Sequence, residues 1–116
     1  RTALAVAAIT LPWVVPVSAT QQPAGNKSIP AGSGLFSTYC VVCHGADGKG
    51  TAMAPAFTGN EYIKTATEEQ ITEVILKGRE GANKAYKQFA IGMPAQKLSA
   101  DEAKDIVVYL KSLAGK

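Results

Sequence analysis

Histidine occurs once in this chain, tryptophan once, and cysteine and methionine twice each. One histidine and two cysteines fall short of the four ligands that a structural zinc site takes, and there is no second CxxC or HxxxH. Two cysteines permit one disulfide, one metal half-site or one cofactor attachment, and nothing larger. A net charge of +3, with no run of Lys or Arg, argues against nucleic acid. Strand alternation is missing, and so is any internal repeat. The glycine-rich stretch GADGKG has only Ala46 and Asp47 between Gly45 and Gly48-Lys49, two residues where a phosphate loop needs four.

With 116 residues the chain has room for one small domain, and 47% hydrophobic against 18% charged residues suits a globular one. The first nineteen residues differ in kind. Arg1 precedes an apolar run from Ala3 to Val17, which ends in Val17-Ser18-Ala19, small residues that suit cleavage after Ala19. The run is short for a membrane span, which needs roughly 20 apolar residues, and Pro12 and Pro16 interrupt it. Residues 1–19 are therefore expected to be an export signal or a membrane anchor. The Pro-, Gly- and Ser-rich stretch that follows is expected to be a flexible linker over 20–31, with the folded domain over 32–116.

Helical signals are local and clear. From Leu35, apolar or aromatic residues recur at Phe36, Tyr39, Cys40 and Cys43, the spacing of one helix face. Thr67-Glu68-Glu69-Gln70 is a capping-box pattern leading into Ile71, Val74 and Ile75, with Gly78 as the stop. Ser99-Ala100-Asp101-Glu102 is a second one. It opens a helix whose Ala103, Ile106, Val107, Leu110 and Leu113 share a face. The stretches 45–60 and 79–98 are rich in turn formers. The fold class is all-α, with three to four short helices and long loops. Such a set supplies little core unaided, so something else is expected to fill the middle.

The segment Cys40-Val41-Val42-Cys43-His44 bears on that gap. A Cys40–Cys43 disulfide closes a very small loop and leaves His44 without a role. A thioredoxin-like redox pair belongs at a strand-to-helix junction, and no βαβ unit is present. Zinc lacks ligands, as above. Attachment of c-type haem, whose signature is CxxCH, gives every residue a task. Two thiols add to the two vinyl groups, and the adjacent imidazole is held under the iron. The porphyrin then becomes the missing interior.

These motifs, in this order, resemble class I c-type cytochromes, the small bacterial monohaem kind. Gly32, Phe36 and the CxxCH-Gly45 run are similar to that family's first helix and haem motif. Gly92-Met93-Pro94 is similar to its distal loop, and Asp105-Ile-Val-Val-Tyr109-Leu110 to its last helix. The resemblance implies a cytochrome c fold wrapped round one covalently bound haem c. His44 and Met93 are the implied iron ligands. Context already separates Met93, between Gly92 and Pro94, from Met53, read as filler, although chain reach excludes neither. The resemblance also implies that the Pro55 carbonyl accepts from the second nitrogen of His44. Gly32, Phe36 and Tyr109 are expected at a crossing of the first and last helices. One departure stands out. The family often holds a haem propionate with a tryptophan, and here Trp13 lies in the leader. Tyr62, Tyr86 or a backbone amide is left to substitute.

Without residues 1–19 the chain carries eleven basic and nine acidic residues. Lys77, Arg79, Lys84, Lys87 and Lys97 bracket the Met93 loop, either as a ring that steers an acidic partner or as an ordinary solvated surface. The resulting expectation is an exported single-electron carrier, periplasmic or at the outer face of the cytoplasmic membrane. It would act free or as a subunit of a larger redox complex, not as an enzyme by itself. Its partners would be redox proteins, or a membrane respiratory, photosynthetic or dehydrogenase complex. The alternative, if Met93 does not ligate, is a five-coordinate haem sensor or a peroxidase-like domain.

Overall fold

The computed structural model describes residues 28–116, with positions 3, 5 and 11–13 ahead of them. Most of the leader and most of the linker thus lie outside the described residues. Among the described residues no helix is long and apolar enough to cross a membrane.

Helix α1 spans Ile29–Tyr39. Ser28 caps it by accepting from the Ala31 N–H, and Pro30 sits in the first turn, where no donor is lost. The helix takes in residues 29–31, so the linker expected over 20–31 ends earlier. At Cys40 the backbone opens (φ −115°, ψ −27°), and α2 resumes for one turn over Val41–His44. A 3-10 turn follows at Ala46–Gly48.

Helix α3 is the short Glu61–Thr65, capped by the Asn60 side chain on the Ile63 N–H. Helix α4 spans Glu68–Lys77, and α5 spans Ala100–Ala114. Both start with complete capping boxes, Thr67 with Gln70 and Ser99 with Glu102, each satisfying two orphan donors reciprocally. A second 3-10 turn covers Gly81–Asn83. No named strand occurs among the described residues; one isolated antiparallel bridge joins Arg79 to Met93. With α1 and α2 taken as one interrupted helix, the architecture has four short helices and two long loops, as the sequence suggests.

The core lies where α1, α3 and α4 meet α5. The apolar face read from the sequence, Ala103, Ile106, Val107, Leu110 and Leu113, is buried throughout. Burial of each large aliphatic side chain there contributes roughly 1.5–3 kcal/mol. Ile71 and Ile75 of α4 and Ile63 of α3 join it. Helices α1 and α5 cross at Gly32, where a Cβ would stand 2.0 Å from the Asp105 carbonyl oxygen and 2.9 Å from Tyr109 Cβ. Only glycine admits that approach. Beside it Phe36 packs edge-on against Tyr109 (5.3 Å between centroids) and against Phe57 (6.0 Å). The crossing expected from Gly32, Phe36 and Tyr109 is therefore present. Lys111 of α5 donates to the carbonyls of Ile63 and Ala66 at 2.9 and 2.8 Å, satisfying the end of α3.

Candidate functional site

On the other side of these helices lies a cavity of about 350 Å³, within the range of small-molecule and cofactor sites. Cys40, Cys43 and His44 reach it from the α1–α2 break. Pro55 and Phe57 reach it from the first loop, Tyr62 from α3, Val74 from α4, and Arg79, Tyr86 and Met93 from the second loop. All five residues singled out in the sequence, Cys40, Cys43, His44, Pro55 and Met93, therefore line one space. Its inner wall is Ile63, Ile71, Ile75 and Leu110, so cavity and core share side chains.

His44 is buried. Its Nδ1 lies 3.0 Å from the Pro55 carbonyl oxygen, and the ring stacks on Phe57 at 4.3 Å and 28°. A carbonyl only accepts, so Nδ1 carries the proton and Nε2 keeps its lone pair. Burial favours the neutral ring and lowers the His44 pKa below the ordinary histidine value, while the Pro55 hydrogen bond pulls the other way. A neutral, oriented imidazole is the form that binds a metal.

The two cysteines are free thiols. Burial, and secondarily the charge of Cys43, pushes the Cys40 thiol up to about 11. Reactive redox thiols have depressed values and electropositive surroundings, so Cys40 lacks the signature of an oxidoreductase nucleophile. Among the described residues no three His, Cys, Asp or Glu side chains converge to hold a metal ion by themselves.

The distal side is built by the second loop. Arg79 and Met93 form a hydrogen-bonded antiparallel pair, Arg79 N–H to Met93 O at 2.8 Å and Met93 N–H to Arg79 O at 2.9 Å. Directly opposed residues of such a pair share a face, and both side chains line the cavity. The loop is fastened to α4 through the Gln96 N–H on the Ile75 carbonyl (2.9 Å). Lys84 Nζ donates to the Phe89 carbonyl and Lys87 Nζ to the Ala82 carbonyl, so both charges are tied to the loop itself. Lys77 pairs with Glu73 at 2.7 Å on the surface. Met53, read as filler, also lines the cavity, but at its mouth and 42% exposed, whereas Met93 packs against the core cluster.

Arg79 and Phe57 were given no place in the site on sequence grounds. Arg79 reaches it through a pairing fourteen residues apart, which leaves no local trace. Phe57, two residues beyond Pro55, is the one aromatic residue of the stretch 45–60, and that is its only signal.

A family model, Cytochrome c, matches residues 29–114. Over 89 residues the chain is 33% identical to "Cbb3-type cytochrome c oxidase subunit CcoP" of Rubrivivax gelatinosus, covering 77% of this chain and 27% of that protein. It is 32% identical over 84 residues to "Cytochrome bc1 complex cytochrome c subunit" of Corynebacterium diphtheriae, covering 72% and 27%. The structure resembles that of cytochrome CL from Methylophaga aminisulfidivorans, with TM-score 0.54 and 30% identity over 80% of this chain and 55% of that one. The chain thus spans about a quarter of the curated relatives it matches. Short helices round a cavity that gathers a CxxCH segment define a class I c-type cytochrome. The chain belongs to the cytochrome c family.

The family's cofactor is haem c, held through thioethers, and the residues present fit it. Both thiols stand on the wall of one largely apolar cavity, and a neutral imidazole and a thioether sulfur reach the same space. Both are good iron donors.

Proposed function

We propose that this domain is a single-electron carrier that holds one haem c, with Cys40 and Cys43 as the attachment points and His44 and Met93 as iron ligands. One observation carries the reading. The only histidine and the better buried of two methionines line the same cavity as both cysteines. The single CxxCH supports one haem on this stretch of chain.

The bound group supplies a one-electron couple. The chain supplies position and exclusion of water. Pro55 O holds the His44 Nδ1 proton and so leaves Nε2 for the metal, and Phe57 fixes the ring plane. Apolar walls keep the surroundings of the couple dry, and a thioether ligand favours a high potential. With His44 and Met93 both holding the iron, no position would be left for a substrate, which suits a carrier rather than an enzyme. The relatives named above are subunits of oxidase and bc1 complexes. Their names, with the leader read from residues 1–19, support an exported domain in the periplasm or at the outer face of the cytoplasmic membrane. Such a domain would work free or within a respiratory or dehydrogenase complex.

The test is spectroscopic. Purified from a host with haem-attachment machinery, the protein retains its colour after acid–acetone extraction. Its ferric form shows the weak red band of iron–thioether bonding, which Met93→Ala removes and Met53→Ala keeps. Rapid carbon monoxide binding by the reduced wild type, with no red band, would overturn His/Met ligation in favour of a five-coordinate sensor or peroxidase-like haem.

A further inference from the structure

Among the described residues Arg79 is the one guanidinium at the cavity, and no carboxylate pairs with it. It is half-buried, and its side-chain partners are the Tyr62 hydroxyl, which accepts from Nη2 at 2.9 Å, and the Tyr62 ring, 4.6 Å from Cζ. The ion pairs among the described residues are Lys64–Glu61 and Lys77–Glu73, and neither involves Arg79. A guanidinium has five N–H donors, and one is engaged. Arg79 also borders the open polar groove that holds Glu73 and Lys77, so its head stands between that groove and the apolar cavity with donors left for an anion on the cavity side.

The setting is also rigid. The Met93 pairing fixes the Arg79 backbone in both directions, and Tyr62 fixes its head. Because the Tyr62 oxygen accepts from Arg79, its own O–H proton is free to donate elsewhere. The two together offer a planar fork and a hydroxyl on one wall, a pattern that matches a carboxylate. Tyr86 stands in a different relation: its oxygen accepts from Asn60 Nδ2 at 3.3 Å.

We infer that Arg79 and Tyr62 form a carboxylate-binding site on the cavity wall that takes a propionate of the haem, in place of the tryptophan this domain lacks. The inference rests on the haem reading above and deepens it. One other cation lines the cavity, Lys84, and it lacks the planar fork of a guanidinium. Lys84 donates to the Phe89 carbonyl, and Lys77 and Glu73 of the adjoining groove pair with each other. His44, Cys40, Cys43 and the tyrosines 39, 62 and 86 are the remaining titratable cavity residues.

The experiment is the reduction potential of the holoprotein against pH, for wild type, Arg79→Gln, Arg79→Lys, Tyr62→Phe, Tyr86→Phe and Lys84→Gln. Covalent haem in each is counted by mass spectrometry. An adjacent opposite charge lowers a carboxyl pKa by about 1–3 units, so the carboxylate inflection of Arg79→Gln moves up by about one pH unit or more. Arg79→Lys and Tyr62→Phe move it less, in the same direction. Tyr86→Phe and Lys84→Gln leave it in place. If Arg79→Gln fails to mature, Tyr62→Phe, which keeps the cation, decides by the same shift. A haem-loaded Arg79→Gln whose curve superposes on the wild type overturns the site and leaves the carrier reading intact. Absence of covalent haem from the wild type overturns both.

Discussion

A Cβ added to Gly78 would stand 2.5 Å from the carbonyl oxygen of Met93 and 2.6 Å from the Ala95 nitrogen. The end of α4 and the loop that carries the thioether are therefore in contact through bare backbone. Gly78 also has φ +73°, a region that L side chains disfavour. Gly78→Ala is expected to cost about 1–3 kcal/mol from the backbone alone. Because the clash pushes on Met93, the red iron–thioether band should weaken as well. Guanidine denaturation and the ferric spectrum, taken together, check both halves.

Phe57 holds the imidazole proposed as the other ligand. Phe57→Ala removes the ring stacked on His44 and the neighbour of Phe36, and should cost about 3–5 kcal/mol in denaturant. Phe57→Leu, closer in volume, should cost under about 1.5 kcal/mol. It should still broaden the spread of imidazole orientations, read as altered ferric electron-spin-resonance anisotropy. An unchanged spectrum in Phe57→Leu would mean that Pro55 alone orients the ring.

Lys111 ties α5 to the end of α3 with two charge-assisted hydrogen bonds and lies away from the cavity. Lys111→Met keeps the aliphatic stem and strands two carbonyls. We expect a loss of about 1–3 kcal/mol, seen as a lower Tm with haem spectrum and potential unchanged. A shift in potential would place Lys111 in the redox site after all.

Cofactor removal should be drastic. Ile63, Ile71, Ile75 and Leu110 serve core and cavity wall at once. In the Cys40→Ala/Cys43→Ala chain, made without haem, those side chains face a void. Far-UV circular dichroism should retain helix while the near-UV signal collapses and dye binding rises, the behaviour of a chain without fixed packing. A cooperative thermal transition in that variant would show that the helices suffice alone.

Some of this was legible in the sequence and some was not, for physical reasons. The starts of α4 and α5 are written in four residues each, Thr67 to Gln70 and Ser99 to Glu102, because a cap is a local contact. The Gly32 crossing showed itself through the spacing to Phe36 and through the resemblance. Helix α3 was missed: Glu61–Thr65 is too short to display periodicity, and only Asn60 marks its start. The linker was drawn too long because Ile29-Pro30-Ala31-Gly32 looks like a breaker, whereas Pro30 occupies the one turn that tolerates it. Arg79 looked like one more surface cation among five. Its pairing with Met93 and its rest on Tyr62 are long-range contacts, which composition and spacing do not encode.

At Gly32 the bare backbone of α1 meets that of α5, so the first and last helices of the described domain close on each other there. The fold cannot shut until the carboxy-terminal end of the chain has arrived. Cys40 and Cys43 precede α5 in the chain, so synthesis from the amino end presents them before the helix that buries their neighbours. For a haem joined at those sulfurs as proposed above, chain order would leave both within reach of attachment for a time. The docking of Asp105 over Gly32 ends it.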